Sequence, residues 1–218
     1  MIIDVERFLA SHPYSRETCA TYGRILRALV ADLADLEHLD AAGLLTWIRS
    51  RPTWGNSQQY VALCACRSFL SWRFGHDHAA ILARIKRMRA RRQRVLTADR
   101  ALQLLACFDP RTPKGARDLA IAALGLDTGL RASELCRLRM ADVDLSTRTL
   151  QVITKGGQWG VGVFSAETAQ YLDEWLSVRH CEPGVETIFV SVWHGRPLTR
   201  AGLGCIVRGW GRLIGVKL

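Results

Sequence analysis

No apolar run in these 218 residues approaches the roughly 20 needed to cross a bilayer as a helix. The first ten residues, MIIDVERFLA, carry acids early and lack the basic-then-apolar order of a secretory leader. A membrane partner is therefore not expected, and the cytosol is the expected compartment. Repeats and low-complexity tracts are also missing. The seven cysteines (19, 64, 66, 107, 136, 181, 205) lack any pairing pattern: they are scattered and odd in number, and read as reduced core thiols. Metal-ligand spacing is equally wanting. The one close group, Cys64-x-Cys66 followed by His76-x-His78, would point to different faces of a helix. No metal and no other cofactor is expected.

Acid is the remaining shortage. Thirty Lys and Arg stand against 20 Asp and Glu, a net charge of +10 and a pI of about 9.8. That excess favours a polyanionic partner, and nucleic acid before a membrane surface because no basic amphipathic anchor is evident. The charge is uneven, net +7 over residues 1–95 and +3 over residues 96–218. Much of it lies in RIKRMRARRQR, where Arg84, Lys86, Arg87, Arg89, Arg91, Arg92 and Arg94 are seven bases in eleven residues without one acid. Such a run repels itself unless counter-charge arrives, so it is expected to lie along DNA phosphates rather than to be a solvated helix end.

What is present is enough for a core: 49% of residues are apolar and mean hydropathy is +0.03. Residues 1–88 read as all-helical. Ser15 can cap a helix with Tyr22, Ile25, Leu26, Leu29, Val30 and Leu33 at three and four, and a shorter helix covers about 40–49. Asn56 opens another, with Val61, Cys64, Ala65, Ser68, Phe69 and Trp72 expected on one buried stripe. Arg24, Arg27, Arg67 and Arg73 leave these stripes, which suits groove or backbone contact as well as plain solvation. A basic linker, 89–95, separates this part from residues 96–218.

In the second part Thr97 starts a helix, another spans about 116–127, and a short one runs from Ala132 to about Leu138. Residues 147–165 carry a hairpin signal around Gly156-Gly157. Ser165 then caps a helix with Leu172, Trp175 and Leu176 inward, ETIFVS (186–191) reads as a third strand, and Thr199 opens a last helix. The expected class is mainly α with a small antiparallel sheet, without a doubly wound parallel pattern.

Chemistry concentrates in DTGLRASEL, residues 127–135. Gly129 suits the left-handed turn between two helices, and Arg131 begins the second with Glu134 one turn on. A guanidinium so oriented matches two oxygens of one phosphate. Spacing alone leaves open an ion pair that merely fastens the corner. Lys155 follows 24 residues later at the hairpin tip, from where it could protonate a leaving oxygen or simply be solvated.

The segment TGLRASELCRLRMADVDLSTRTLQVITKGG resembles the start of the catalytic domain of tyrosine recombinases, the phage integrase family. The resemblance continues through IFVSVWHGRPLTRAGL, and the N-terminal helices and basic linker resemble, less specifically, that family's core-binding domain and its connection. It implies a helical SAM-like core-binding domain over 1–88 and an integrase catalytic domain over 96–218. It implies a clamp on double-stranded DNA, and metal-free cleavage through a 3′-phosphotyrosine that releases a 5′-hydroxyl. By position, Arg131 is then the first phosphate-clamping arginine, Glu134 its supporting acid and Lys155 the hairpin general acid. Self-association, or assembly with full-length recombinase protomers on DNA, is implied as well, and with it a nucleoid location.

The family pattern continues with His-x-x-Arg and then the nucleophilic tyrosine. No His-x-x-Arg occurs after residue 155, and the tyrosines are 14, 22, 60 and 171. The chain is accordingly expected to be truncated before those motifs and inactive alone. A non-catalytic module that occupies recombination sites is the alternative. His180 and His194 are expected at the surface, Tyr171 in packing, and Trp159 either against a sugar or covering the sheet.

Overall fold

Helix starts are set by short polar side chains. Ser15, Asp40, Thr97, Thr112, Ser165 and Thr199 each accept a hydrogen bond from the backbone N–H three residues on. Replacing such a cap by Ala typically costs about 1 kcal/mol. The computed structural model describes residues 1–88, 95–154 and 157–216. It divides into two compact units, Met1–Gln93 and Arg94–Leu218.

The first unit holds α1 (Ile2–Ala10), α2 (Arg16–Asp32), α3 (Ala41–Arg49) and α4 (Asn56–Phe74), then a 3-10 turn at Ala79–Leu82. Val5 and Phe8 of α1, Ile25, Leu26 and Leu29 of α2 and Leu44 and Ile48 of α3 close on α4. Full burial of each such side chain contributes about 1.5–3 kcal/mol. On α4 the buried set is Ala62, Leu63, Ala65, Cys66, Phe69 and Leu70, whereas Trp72 is exposed and Val61, Cys64 and Ser68 are only half-buried. The expected stripe is therefore rotated. Three helices and the 3-10 turn all pack on α4, so its buried arc is wide and small residues (Ala62, Ala65, Cys66) decide its centre. His78 is buried too, with Nε2 bonded to the Leu36 carbonyl at 2.8 Å and its ring stacked on Phe74.

The second unit holds α5 (Ala98–Ala106), α6 (Pro113–Thr128), α7 (Ala132–Arg137), β1 (Val143–Asp144), β2 (Thr149–Ile153), β3 (Trp159–Val163), α8 (Ala166–Val178) and α9 (Arg200–Leu213). Every residue of α6 from Gly115 to Leu124 is buried, which makes it the central helix of this unit. The sheet is antiparallel in the order β1-β2-β3, with Ile153 opposite Trp159 and Leu150 opposite Gly162. Among the described residues the architecture is mainly helical with one small antiparallel sheet, as composition and periodicity led us to expect.

The third strand is not where the sequence suggested. Residues 186–191 form no strand of the sheet; β1 takes that place. Ile188, Phe189 and Val190 are fully buried, so the apolar run is real, but side chains satisfy much of its backbone. Arg179 donates to the carbonyls of Val185, Thr187 and Ile188, and Trp175 Nε1 donates to Ile188 O at 3.0 Å. The rest of its backbone pairs outside the sheet. Met140 N–H donates to Glu186 O and Ile188 N–H to Leu138 O, both at 2.9 Å, and Leu198 N–H donates to Phe189 O at 3.1 Å. Isolated antiparallel bridges join Arg139 to Thr187 and Val190 to Pro197.

Candidate nucleic-acid interface

The corner between α6 and α7 is a backbone solution before it is a chemical one. Gly129 ends α6 at φ 64°, ψ 20°, a left-handed conformation that a Cβ would disfavour, and its N–H reaches back to Gly125 O at 3.0 Å. Arg131 then enters α7 as its N-cap in extended conformation, with Glu134 at the third helical position. The Glu134 carboxylate accepts the Arg131 backbone N–H at 2.7 Å and the guanidinium Nη1 at 2.9 Å. One acid thus satisfies a helix-start donor and aims the side chain.

The two partners differ in exposure: the Glu134 side chain is 9% exposed and that of Arg131 62%. Burial pushes the Glu134 carboxyl up, yet the Arg131 N–H, its guanidinium and its charge together outweigh this and hold it below the ordinary carboxylate value. The carboxylate is therefore ionised at neutral pH, and its bond commits one N–H of a five-donor fork that faces solvent. The guanidinium does not point into the apolar wall of α6.

Asp127, four residues before Arg131, braces the corner from the other side. Its carboxylate accepts Ser165 N–H at 2.8 Å, which ties the end of α6 to the start of α8 just after β3. Burial raises this carboxyl, and bonds from Ser165 and Thr168 lower it further than burial raises it. The hairpin also runs tight against the corner: a Cβ on Gly162 would lie 2.9 Å from Leu150 Cδ1 and 3.4 Å from Thr128 Cγ2. Sequence reasoning missed Asp127. The only signal was an acid directly preceding the TGLR turn.

Lys155 and Gly156 lie outside the described residues. The residues around them close the turn, with Thr154 N–H donating to Gln158 O at 2.8 Å and Gly157 N–H to Thr154 O at 3.0 Å. On β3 the side chains of Trp159, Val161 and Val163 are all exposed, Trp159 at 68%. Trp159 therefore does not cover the sheet.

Of the basic run, Arg84, Lys86 and Arg87 are described and exposed, while Arg89, Arg91, Arg92 and Arg94 fall outside the described residues. The chain from Ala83 to Met88 is not helical. Arg84 Nη1 donates to the carbonyls of Ile81 and Ala83 at 2.7 and 2.9 Å, so part of this cation closes the 3-10 turn. The Asn56 side chain accepts from Met88 N–H at 2.8 Å and donates to Lys86 O at 3.0 Å, and the Arg87 guanidinium sits 5.5 Å from the Tyr60 ring.

His180 and His194 are both exposed. The tyrosines are committed to packing. Tyr14 stacks on His12 and meets Phe8 and Tyr22, while Tyr60 lies under Arg87. Tyr171 donates its hydroxyl to Glu167 at 2.5 Å, and that bond, with burial, pushes the phenol up to about 12. Among the described residues no group of three or more His, Cys, Asp and Glu could hold a metal ion, and no helix is long and apolar enough to cross a membrane.

The family model described as "Phage integrase family" matches residues 94–218. The tyrosine recombinase XerC of Xylella fastidiosa (strain 9a5c) is 32% identical over 186 residues, which cover 80% of this chain and 61% of the relative. The chain therefore spans about three fifths of that relative's length. A solved structure of a lambda integrase (75–356) dimer bound to a COC′ core site is similar at a TM-score of 0.76 and 20% identity, over 98% of this chain and 77% of that one. The Tn1549 transposon integrase in complex with transposon right end DNA is similar at a TM-score of 0.72 and 15% identity, over 96% of this chain and 78% of that one.

Proposed function

Because the chain belongs to the phage integrase family, with residues 94–218 matching its model, we propose that it binds duplex DNA as a tyrosine recombinase does, with Arg131 clamping the scissile phosphate. The observation that carries this reading is the Arg131–Glu134 pair: a carboxylate shielded from water holds a guanidinium that faces it. A fork so oriented loses little freedom on meeting two phosphate oxygens, and it stabilises the charge that builds on phosphorus during in-line attack. Lys155, next to Thr154 in the sequence, is the proton donor to the leaving 5′ oxygen.

In this reading residues 1–88 are the core-binding domain, 89–95 the basic linker and 96–218 the catalytic domain. DNA-bound protomers of the same or a full-length recombinase are the assembly partners. Arg84, Lys86 and Arg87, together with the bases at 89, 91, 92 and 94, neutralise backbone phosphates. Site-specific recombination is the process the chain belongs to.

The chemical step itself is not assigned to these 218 residues acting alone. They contain no His-x-x-Arg after Lys155, and the Tyr171 hydroxyl is engaged by Glu167 at 2.5 Å. That commitment of the tyrosine favours a second reading, a module that occupies a recombination site without cutting it. Nicked suicide duplexes that carry the attachment site test both. Salt-sensitive binding without a covalent adduct is the expected result, and a protein–DNA adduct formed by the purified chain overturns the non-cleaving part. Failure to bind duplex at all overturns the whole reading.

A further inference from the structure

We propose that the outer face of the small sheet is an interface between two copies of this chain, the two sheets packing face to face about a two-fold axis. The contact needs no DNA, and it stands whether or not Arg131 grips a phosphate.

Its sign is a strand with the usual pattern inverted. An antiparallel strand at the surface ordinarily turns apolar side chains to the core and polar ones to water. In β3 the core-side positions are Gly160 and Gly162, while Trp159, Val161 and Val163 face out. The inner positions are held small: a Cβ would lie 2.9 Å from Thr154 Cγ2 at Gly160 and 2.9 Å from Leu150 Cδ1 at Gly162. Leu150 and Val152 of β2 supply the apolar side chains on that side instead. The register sets Ile153 beside Trp159, Gln151 beside Val161 and Thr149 beside Val163, so the outward row of β2 extends the patch. Ile153, Trp159, Val161 and Val163 are each 58–72% exposed.

Area and charge both point to a second copy as the occupant. At those exposures the four residues present about 500 Å² of accessible surface, in the upper part of the range for the largest apolar patch on a monomer. Buried on both copies this amounts to about 1,000 Å², where specific interfaces begin. Neither β2 nor β3 contains a charged residue, although the chain carries +10. Two copies repel over most of their surfaces, and this face is where they can meet without opposing like charges. An isologous contact sets one patch against itself, which suits a row made only of apolar and uncharged side chains. Asp144, exposed on β1 opposite Thr149, marks its polar rim.

The competing geometry is strand addition at the free edge of β3. Phe164 N–H bonds Arg148 O and Thr154 N–H bonds Gln158 O, so by alternation the N–H groups of Trp159, Val161 and Val163 point away from β2. Face packing leaves those three amides open to water, whereas edge pairing covers them.

The test is sedimentation of the full chain, freed of nucleic acid, from about 1 to about 100 µM, where a reversible dimer with Kd of order 10 µM is expected. A chain that stays monomeric throughout overturns the proposal and leaves the face to some other protein. Val161→Lys places a cation at the centre of the patch and is expected to weaken the dimer at least tenfold, with circular dichroism as the check on folding. A folded Val161→Lys that dimerises like wild type overturns the assignment to this face. Should that variant not fold, wild type alone decides. Raising salt from about 0.1 to about 0.5 M is expected to tighten an apolar contact between like-charged copies, and loosening overturns it. Hydrogen exchange separates the two geometries: the amides of Trp159, Val161 and Val163 are expected to exchange equally fast in monomer and dimer. Slowing of these three on dimerisation overturns face packing in favour of edge pairing.

Discussion

The two ends of α6 carry the same chemistry in opposite environments. Near its start Arg117 and Asp118 are both buried, their side chains 5% and 1% exposed. Arg117 Nε and Nη2 converge on one Asp118 oxygen at 2.9 and 2.6 Å, while Lys114 Nζ and Trp210 Nε1 reach the other at 3.2 and 3.0 Å. Just past its end Arg131 and Glu134 form a pair in which the acid alone is shielded. In the first case the donors converge on the acid and bind α9 to α6. In the second the acid serves the cation, which is left facing water. Arginine beside carboxylate says nothing about function until it is known which partner is shielded.

The sharpest way to break this comparison is to remove each acid or cation in turn. Asp118→Ala leaves Arg117 buried without a counter-charge and should cost about 3–5 kcal/mol in urea unfolding. The double change Arg117→Met with Asp118→Leu should recover only part of that, because it removes the uncompensated charge but leaves the buried Trp210 Nε1 without its acceptor. A small loss for Asp118→Ala would show that the cluster at the start of α6 is wetter than its burial implies.

Arg131→Ala should do the reverse. Its side chain is mostly exposed, and the shielded Glu134 carboxylate keeps the Arg131 backbone N–H at 2.7 Å, so the loss of stability should be well below that for Asp118→Ala, about 1 kcal/mol. Duplex affinity should fall, and its log–log salt slope should flatten by about 0.9. If the variant instead unfolds, this pair is a corner fastener like the other one, and the clamp reading fails.

The smallest expected effect is on pH dependence. The folded-state Glu134 carboxyl is held below its ordinary value, so its pairing adds stability above the ordinary carboxylate range and loses it as pH falls through that lower value. Glu134→Gln should therefore be less stable than wild type at neutral pH and converge with it in acid. Urea melts from pH 7 downward measure this, and a constant difference across the range would assign the cost to packing instead. Asp144, lowered to about 2 chiefly by the Ser146 hydroxyl and by Thr147, provides an exposed reference group in the same unit.

Much of the fold was legible in the order of residues alone. Ser15, Thr97, Ser165 and Thr199 cap helices in the structure as their positions before apolar periods suggested. The TGLR turn and the hairpin flanks follow from glycine chemistry and β-branched alternation. The misses share one cause. Whether ETIFVS is a strand of the sheet, or which arc of α4 is buried, depends on what packs alongside: residues 138–140, Arg179 and Trp175 in the first case, and α1, α2, α3 and the 3-10 turn in the second. Asp127 was invisible for the same reason, since its partner Ser165 lies 38 residues on.

By itself the sequence determined the helix starts, the class of fold, the excess of positive charge and the family likeness, because these depend on neighbours within a turn or two or on sums over the chain. Only the tertiary structure decided which arginines are spent on the fold and which face solvent. Arg117 and Arg179 are used up inside, Arg131 is held outward, and the Arg67 Nε is buried without a partner among the described residues. A guanidinium has the same charge in all four places. What differs is how much water and which carbonyls or carboxylates the folded chain brings to it, and that is a property of packing alone.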